Sequence, residues 1–171
     1  MFDRGNAPRP NGNPTPVLVG RSRERALLDA HLTRSVAGSG RLVLVRGKAG
    51  VGKTALVNDL ARHAAEQATQ VLTGHCYDQT IIRPFGPWIE VVRGYEAQLA
   101  GSTTADEPAP EILRQLWAHE QPAAASQLAL FESVLSFLTG VTQRRPLCLV
   151  LEDLHWSDQS SIDLLRFVGR Q

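Results

Sequence analysis

Apolar residues in this chain follow two patterns, short continuous runs and longer stretches with a helical repeat. The continuous runs predict three strands, at 42–45, 70–74 and 147–151, and the last is typical of a strand buried on both faces. Helical spacing predicts helices that begin near 22, 54, 85, 128 and 158. Because a helix connects the first two strands, they are expected to be parallel in one sheet. The pattern therefore predicts an α/β fold.

The apolar faces of the predicted helices indicate the core. An aromatic stripe follows Pro84, and such a stripe is more typical of a core than of a ligand platform. A further short helix is predicted over 111–117, entered through Pro110. The residues expected to face the core are Ala26, Leu27, Ala30, Leu32, Phe85, Trp88, Ile89, Val92, Leu99, Leu128, Phe131, Val134, Leu135, Leu138 and Val141.

Composition adds limits on the class of protein. Residues 1–16 are rich in proline and poor in apolar side chains, so we expect a flexible tail followed by one domain over 17–171. The 18 basic and 17 acidic residues are interspersed, which gives no indication of nucleic-acid binding by this segment. No apolar run approaches the roughly 20 residues of a membrane span, and the N-terminus lacks the apolar core of a signal peptide. We therefore expect a cytoplasmic protein without membrane contact. Cys76 and Cys148 lack metal-ligand spacing and are expected to be small buried residues.

The stretch 47–54 reads GKAGVGKT and fits the phosphate-loop pattern G-x-x-x-x-G-K-[ST] between a predicted strand and a predicted helix. Its glycines allow a tight turn that presents backbone N–H groups to phosphate oxygens. Lys53 is expected to reach the β and γ phosphates, and the Thr54 hydroxyl to ligate Mg²⁺. The residues expected to bind the phosphates of ATP are Gly47, Lys48, Ala49, Gly50, Val51, Gly52, Lys53, Thr54 and Ala55.

Two carboxylates, Glu152 and Asp153, follow the last predicted strand. Ligands collect at the carboxyl ends of parallel strands in open α/β sheets. One carboxylate would help to hold Mg²⁺, and the other could orient or deprotonate an attacking water. Together with the phosphate loop, they predict a Walker B site and a three-layer P-loop NTPase core. Its parallel sheet is expected to be incomplete, with about three strands.

Several motifs, in this order, resemble the Orc1-like AAA-type ATPase domain. More narrowly, they are similar to the STAND-class signal-transduction ATPases of large LuxR-type transcription regulators and of adenylate or guanylate cyclase-related proteins. The resemblance extends over 17–169, and its most specific parts are the phosphate loop and the sequence LEDLHWSD at 151–158. The other matching segments are VGR at 19–21, CYD at 76–78 and PFGPW at 84–88.

This resemblance implies an ATP-dependent switch that hydrolyses ATP slowly and changes the packing of domains. It implies that Val19, Gly20 and Arg21 lie near the adenine. It also implies that Glu152 is the acid on the magnesium side and that Asp153 orients water, although the sequence leaves open which carboxylate has which role. His155 and Trp156 match the family's LEDLHWSD sequence, and we expect them to pack rather than to contact nucleotide.

The resemblance further implies that the chain is the N-terminal part of such a domain, truncated after Walker B. Hydrolysis by this part alone is expected to be weak or absent, because a transition-state arginine contributes about 10³ to 10⁵ in rate. A C-terminal part or another protein would complete the site. Two alternatives remain open, a small P-loop kinase and a non-catalytic truncated remnant with exposed apolar strand edges.

Overall fold

A computed structural model describes residues 20–78, 83–100, 109–110 and 127–170. The predicted tail at 1–16, Val19 and the predicted helix at 111–117 lie outside these ranges. Within them the chain forms five α-helices and two strands. The order is α1 (Ser22–Val36), α2 (Lys53–Glu66), β1 (Gln70–His75), α3 (Gly86–Ala100), α4 (Gln127–Arg144), β2 (Leu147–Glu152) and α5 (Gln159–Val168), with a 3₁₀ turn over Leu154–Trp156 before α5.

The sheet of the described residues is parallel, with Gln70 beside Leu147 and His75 beside Glu152. The α/β fold with a parallel sheet is therefore confirmed. The expectation of three strands is wrong for these residues, because β1 pairs with β2 and the segment 42–45 forms no strand. Leu42 is 69% exposed and Leu44 66% exposed. Among the described residues this segment pairs with no strand, and the Leu42 side chain lies next to Gly169.

The core fills the space between one face of the sheet and helices α3, α4 and α5. The aromatic stripe of α3 lies in this core, as predicted, and the Trp88 indole N–H donates to the Ser161 carbonyl at 3.1 Å. Four predicted core positions are wrong, because Ala26, Leu27, Ala30 and Leu128 are exposed. Leu28 in α1 and Leu130 in α4 are buried instead. Strand β2 is half-buried along its whole length, so the prediction of burial on both faces is also wrong.

Helix α3 covers the outer edge of β1. The Glu90 carboxylate accepts the His75 backbone N–H at 3.0 Å, and the Gln98 amide donates to the Val71 carbonyl at 3.2 Å. Gly74 allows this close approach, because a Cβ at that position would lie 2.0 Å from the Pro87 carbonyl oxygen. Side chains of α3 thus bond backbone groups that a further strand would otherwise use.

Candidate nucleotide-binding site

The phosphate loop precedes α2, and two glycines set its path. Gly50 has φ of 73° and Gly52 has φ of 88°, values that residues with a side chain rarely adopt. Gly52 is the N-cap of α2, which begins at Lys53. The first N–H groups of a helix have no partner within it, so this end of α2 carries a partial positive charge beside the loop. Such an arrangement suits an anion.

Lys53 folds back over the loop. Its ammonium donates to the Gly47 carbonyl at 3.2 Å and to the Lys48 carbonyl at 3.1 Å. The Val51 N–H donates to the Lys48 carbonyl at 3.4 Å, which closes the turn between them. The loop is therefore a compact, exposed turn, and the Lys53 ammonium is bonded to its backbone.

The structure brings the loop and the end of β2 together. The Thr54 hydroxyl donates to a Glu152 carboxylate oxygen at 3.3 Å. Both groups present hard oxygen atoms, and Mg²⁺ is usually held by one or two such protein ligands together with phosphate oxygens and water. The pair therefore fits Mg²⁺.

Asp153 is placed differently from Glu152. It has φ of 55° and ψ of 41°, so the chain turns sharply where β2 ends. Its side chain is 56% exposed, and one carboxylate oxygen lies 4.0 Å from Nδ1 of His155. In the described part of the chain, no hydrogen bond or ion pair connects the Asp153 side chain with the loop. The two neighbouring carboxylates thus differ in position, and only Glu152 contacts Thr54.

The segment proposed to lie near adenine is described only in part. Gly20 has φ of 81° and precedes α1, while Arg21 is the N-cap of that helix. Arg21 Nη2 donates to the Val51 carbonyl at 2.5 Å, and Nη1 lies 3.4 Å from a Glu24 carboxylate oxygen. Arg21 is therefore in contact with the phosphate loop, a contact that the sequence pattern does not reveal.

His155 and Trp156 lie in the 3₁₀ turn after Asp153. Their ring centroids are 4.9 Å apart, and the side chain of His155 is 65% exposed. Trp156 is 41% exposed. The two rings pack against each other at the surface.

A charged cluster connects α1 to α2. Arg25 Nε and Arg62 Nη2 each lie 2.6 Å from a carboxylate oxygen of Asp59, and His63 Nδ1 lies 3.2 Å from Asp29. Burial acts to raise the pKa of Asp59, but the hydrogen bond from Arg62 and the charge of Arg25 outweigh it and lower that pKa. The cluster fixes α1 on the helix that begins at the phosphate loop.

A second polar cluster lies at the carboxyl end of β1, and sequence reasoning missed it. Besides the His75 backbone N–H, Glu90 contacts His75 Nδ1 at 2.9 Å. The hydrogen bond from the Tyr77 hydroxyl to Glu90 is the main cause that raises the pKa of Tyr77. Burial raises the pKa of the Cys76 thiol, while its hydrogen bond with Ser157 acts in the opposite direction. Of the two cysteines, Cys76 is buried as expected, but Cys148 is only partly buried.

Comparison with known proteins agrees with this geometry. The AAA ATPase domain family matches residues 17–171. The chain therefore belongs to the AAA ATPase domain family, and it carries an ATPase-type, nucleotide-binding module. A similar chain is the uncharacterized protein R02095 of Rhizobium meliloti (strain 1021), 25% identical over 176 residues. That alignment covers 90% of this chain and 17% of the relative, so the chain spans a small part of the relative's length. No solved structure gives a significant match.

Among the helices of the described residues, none combines the length and apolar character needed to cross a membrane.

Proposed function

We propose that the chain is an ATP- and magnesium-binding P-loop module of a signal-transduction or transcription regulator of the STAND class, with weak or no hydrolysis on its own. The observation that supports this proposal best is the hydrogen bond between Thr54 and Glu152, at 3.3 Å. It connects the two motifs that Mg²⁺ chemistry requires, which a glycine turn matching by accident would not explain.

Different groups of the site are expected to bind the phosphates and the Mg²⁺ of the ligand. Backbone N–H groups of the loop and of the first turn of α2 donate to phosphate oxygens, and the Lys53 ammonium exchanges its loop carbonyls for the β and γ phosphates. Thr54 and Glu152 provide oxygen ligands on the magnesium side. When bound, Mg²⁺ neutralises charge on the phosphates. Gly20 and Val19 remain candidates for contact with adenine.

Slow hydrolysis follows from the position of Asp153. Its carboxylate is more than half exposed, and a group that orients water acts most strongly in a site from which bulk water is excluded. A transition-state arginine from another segment or partner would add about 10³ to 10⁵ in rate. The chain alone is thus suited to holding nucleotide, and the role in a regulator rests on the motif order at 19–21, 47–54 and 151–158.

A titration with a fluorescent ATP analogue in Mg²⁺ tests the proposal. We expect Lys53→Ala to weaken binding by about 100-fold, because it removes a charge-assisted contact to phosphate. Arg34→Ala is the matched control, since Arg34 is an exposed cation in the last turn of α1. Equal affinity of the wild-type chain and Lys53→Ala would contradict the proposal.

One observation favours a second candidate, a non-catalytic interaction remnant. Leu42 and Leu44 are about two-thirds exposed in a segment that pairs with no strand of the described ranges, a feature typical of a surface that binds another chain. Cooperative thermal unfolding, with a midpoint that rises when Mg-ATP is added, would argue against this candidate. The third candidate, a small P-loop kinase, gains no support, because Arg166 after β2 is paired with Asp163 at 3.1 Å.

A further inference from the structure

One side chain from outside the motif reaches the backbone of the phosphate loop. Arg21 Nη2 donates to the Val51 carbonyl across 30 residues of sequence. Within the described part of the chain, the other side-chain bonds to the loop backbone come from Lys53, which belongs to the motif itself. Arg21 therefore constrains the loop from an independent element, the start of α1.

Arg21 is itself held in place by neighbouring residues. Its side chain is 24% exposed, and its second guanidinium nitrogen contacts Glu24 in the first turn of α1. The ion pair of Asp59 with Arg25 and the contact of Asp29 with His63 hold α1 against α2 further along both helices. Since α2 begins at the loop, the guanidinium, α1 and the loop form one closed set of contacts. A shift of the Val51 carbonyl would have to break the bond to Arg21.

The trans peptide bond determines what that bond does for a phosphate. The carbonyl of Val51 and the N–H of Gly52 belong to one planar unit and point in opposite directions. This unit rotates about ψ of Val51 and φ of Gly52, and Gly52, at φ of 88°, has no side chain to oppose that rotation. By holding the carbonyl on the side of α1, Arg21 keeps the Gly52 N–H directed to the opposite side. Donors that are fixed before binding need no reorganisation when an anion arrives.

We infer that Arg21 is a positioning residue for polyphosphate binding, which orients the Val51–Gly52 peptide and adds positive charge beside the loop, and is not a contact to the adenine base. This inference rests on the proposed function, because it concerns the same loop. A base contact and a positioning role differ in which ligands they affect. A base contact matters only for ligands that carry the base, whereas a positioning role matters equally for any ligand with the same phosphates.

Affinities for ATP, GTP and inorganic tripolyphosphate, measured by calorimetry in Mg²⁺, distinguish these roles. We expect Arg21→Ala to weaken the binding of all three by about the same factor, roughly tenfold, as for loss of a charge-assisted hydrogen bond. Arg21→Lys should restore part of the loss for all three. Arg23→Ala is the control, an exposed arginine two residues away. A loss for ATP alone, or no loss for any ligand, would overturn the inference.

Amide hydrogen exchange of the ligand-free protein supplies a readout that needs no nucleotide. Arg21→Ala should speed exchange at Val51 relative to the wild-type chain, because the Val51 N–H is bonded to the Lys48 carbonyl within the turn that Arg21 holds, while Arg23→Ala should leave it unchanged. If the wild-type chain bound none of the three ligands, the proposed function would be wrong. The exchange rates would still test whether the contact of Arg21 with Val51 holds the loop. Unchanged exchange at Val51 would overturn the positioning role even where binding is intact.

Discussion

Thr54 and Glu152 are 98 residues apart in the sequence, and the hydroxyl of one donates to the carboxylate of the other at 3.3 Å. Thr54 lies in the first turn of α2 and Glu152 ends β2. The contact therefore joins the two segments of the candidate nucleotide site.

This contact predicts that the two residues act as a unit in magnesium-dependent binding. Thr54→Val and Glu152→Gln should each lower the affinity for Mg-ATP by about tenfold, because each removes an oxygen ligand or its charge. The double variant should lose much less than the product of the single losses. Titrations with and without EDTA measure this, since without Mg²⁺ the variants should match the wild-type chain. Multiplicative losses would contradict a shared site.

The Glu90 cluster predicts a change in the titration of Tyr77. The hydrogen bond to Glu90, followed by burial and the charge of Glu90, raises the pKa of Tyr77. Glu90→Gln should therefore lower that pKa towards the usual value near 10. Because the pKa is raised in the folded state, the stabilisation is present below the unfolded pKa and is lost as the pH rises through the folded one. An NMR titration of the tyrosine ring carbons, with Glu96→Gln as a comparison on the same helix, measures the shift.

Because β1 packs closely against α3, adding a single methyl group at Gly74 is expected to lower the free energy of unfolding. Gly74→Ala would place a Cβ 2.0 Å from the Pro87 carbonyl oxygen, so strand and helix must separate. We expect a loss of about 1–3 kcal/mol or more in the free energy of unfolding. Gly94→Ala is the matched control, because no atom lies within 4 Å of its Cβ position in α3, and it should stabilise by about 0.5–1 kcal/mol. Urea denaturation compares both, and equal effects would be inconsistent with the packing.

The exposed segment at 42–45 predicts that apolar side chains there contribute little to folding. Leu44→Ser should change the free energy of unfolding by about 0.5 kcal/mol or less, as for other surface positions. Leu72→Ala, at a residue only 1% exposed, should cost about 2–5 kcal/mol. Denaturation measures both, and light scattering should show less self-association for Leu44→Ser. A large loss at Leu44 would mean that the segment packs as a strand after all.

The sequence predicts well those features that depend on neighbouring residues. Helical periodicity locates α1 to α5 to within a few residues, and the residue types and spacing at 47–54 predict a phosphate loop. The apolar run at 42–45 has the composition of a strand, but a strand also needs a neighbour whose backbone bonds it, and composition does not report the neighbour. The contacts of Arg21 with Val51 and of Glu90 with Tyr77 join distant segments, so no local pattern indicates them.

The covering of β1 by α3 limits how copies of the protein can associate. Glu90 and Gln98 bond the outer edge of β1, so another chain could add there only by displacing both. Among the described residues, the sheet is left with one edge for growth, that of β2. If two copies paired through their β2 strands, no further copy could add to the combined sheet, because the other edge of each sheet is covered by α3. Sheet-mediated association of this part of the chain is therefore expected to stop at a pair and not to continue into a fibril.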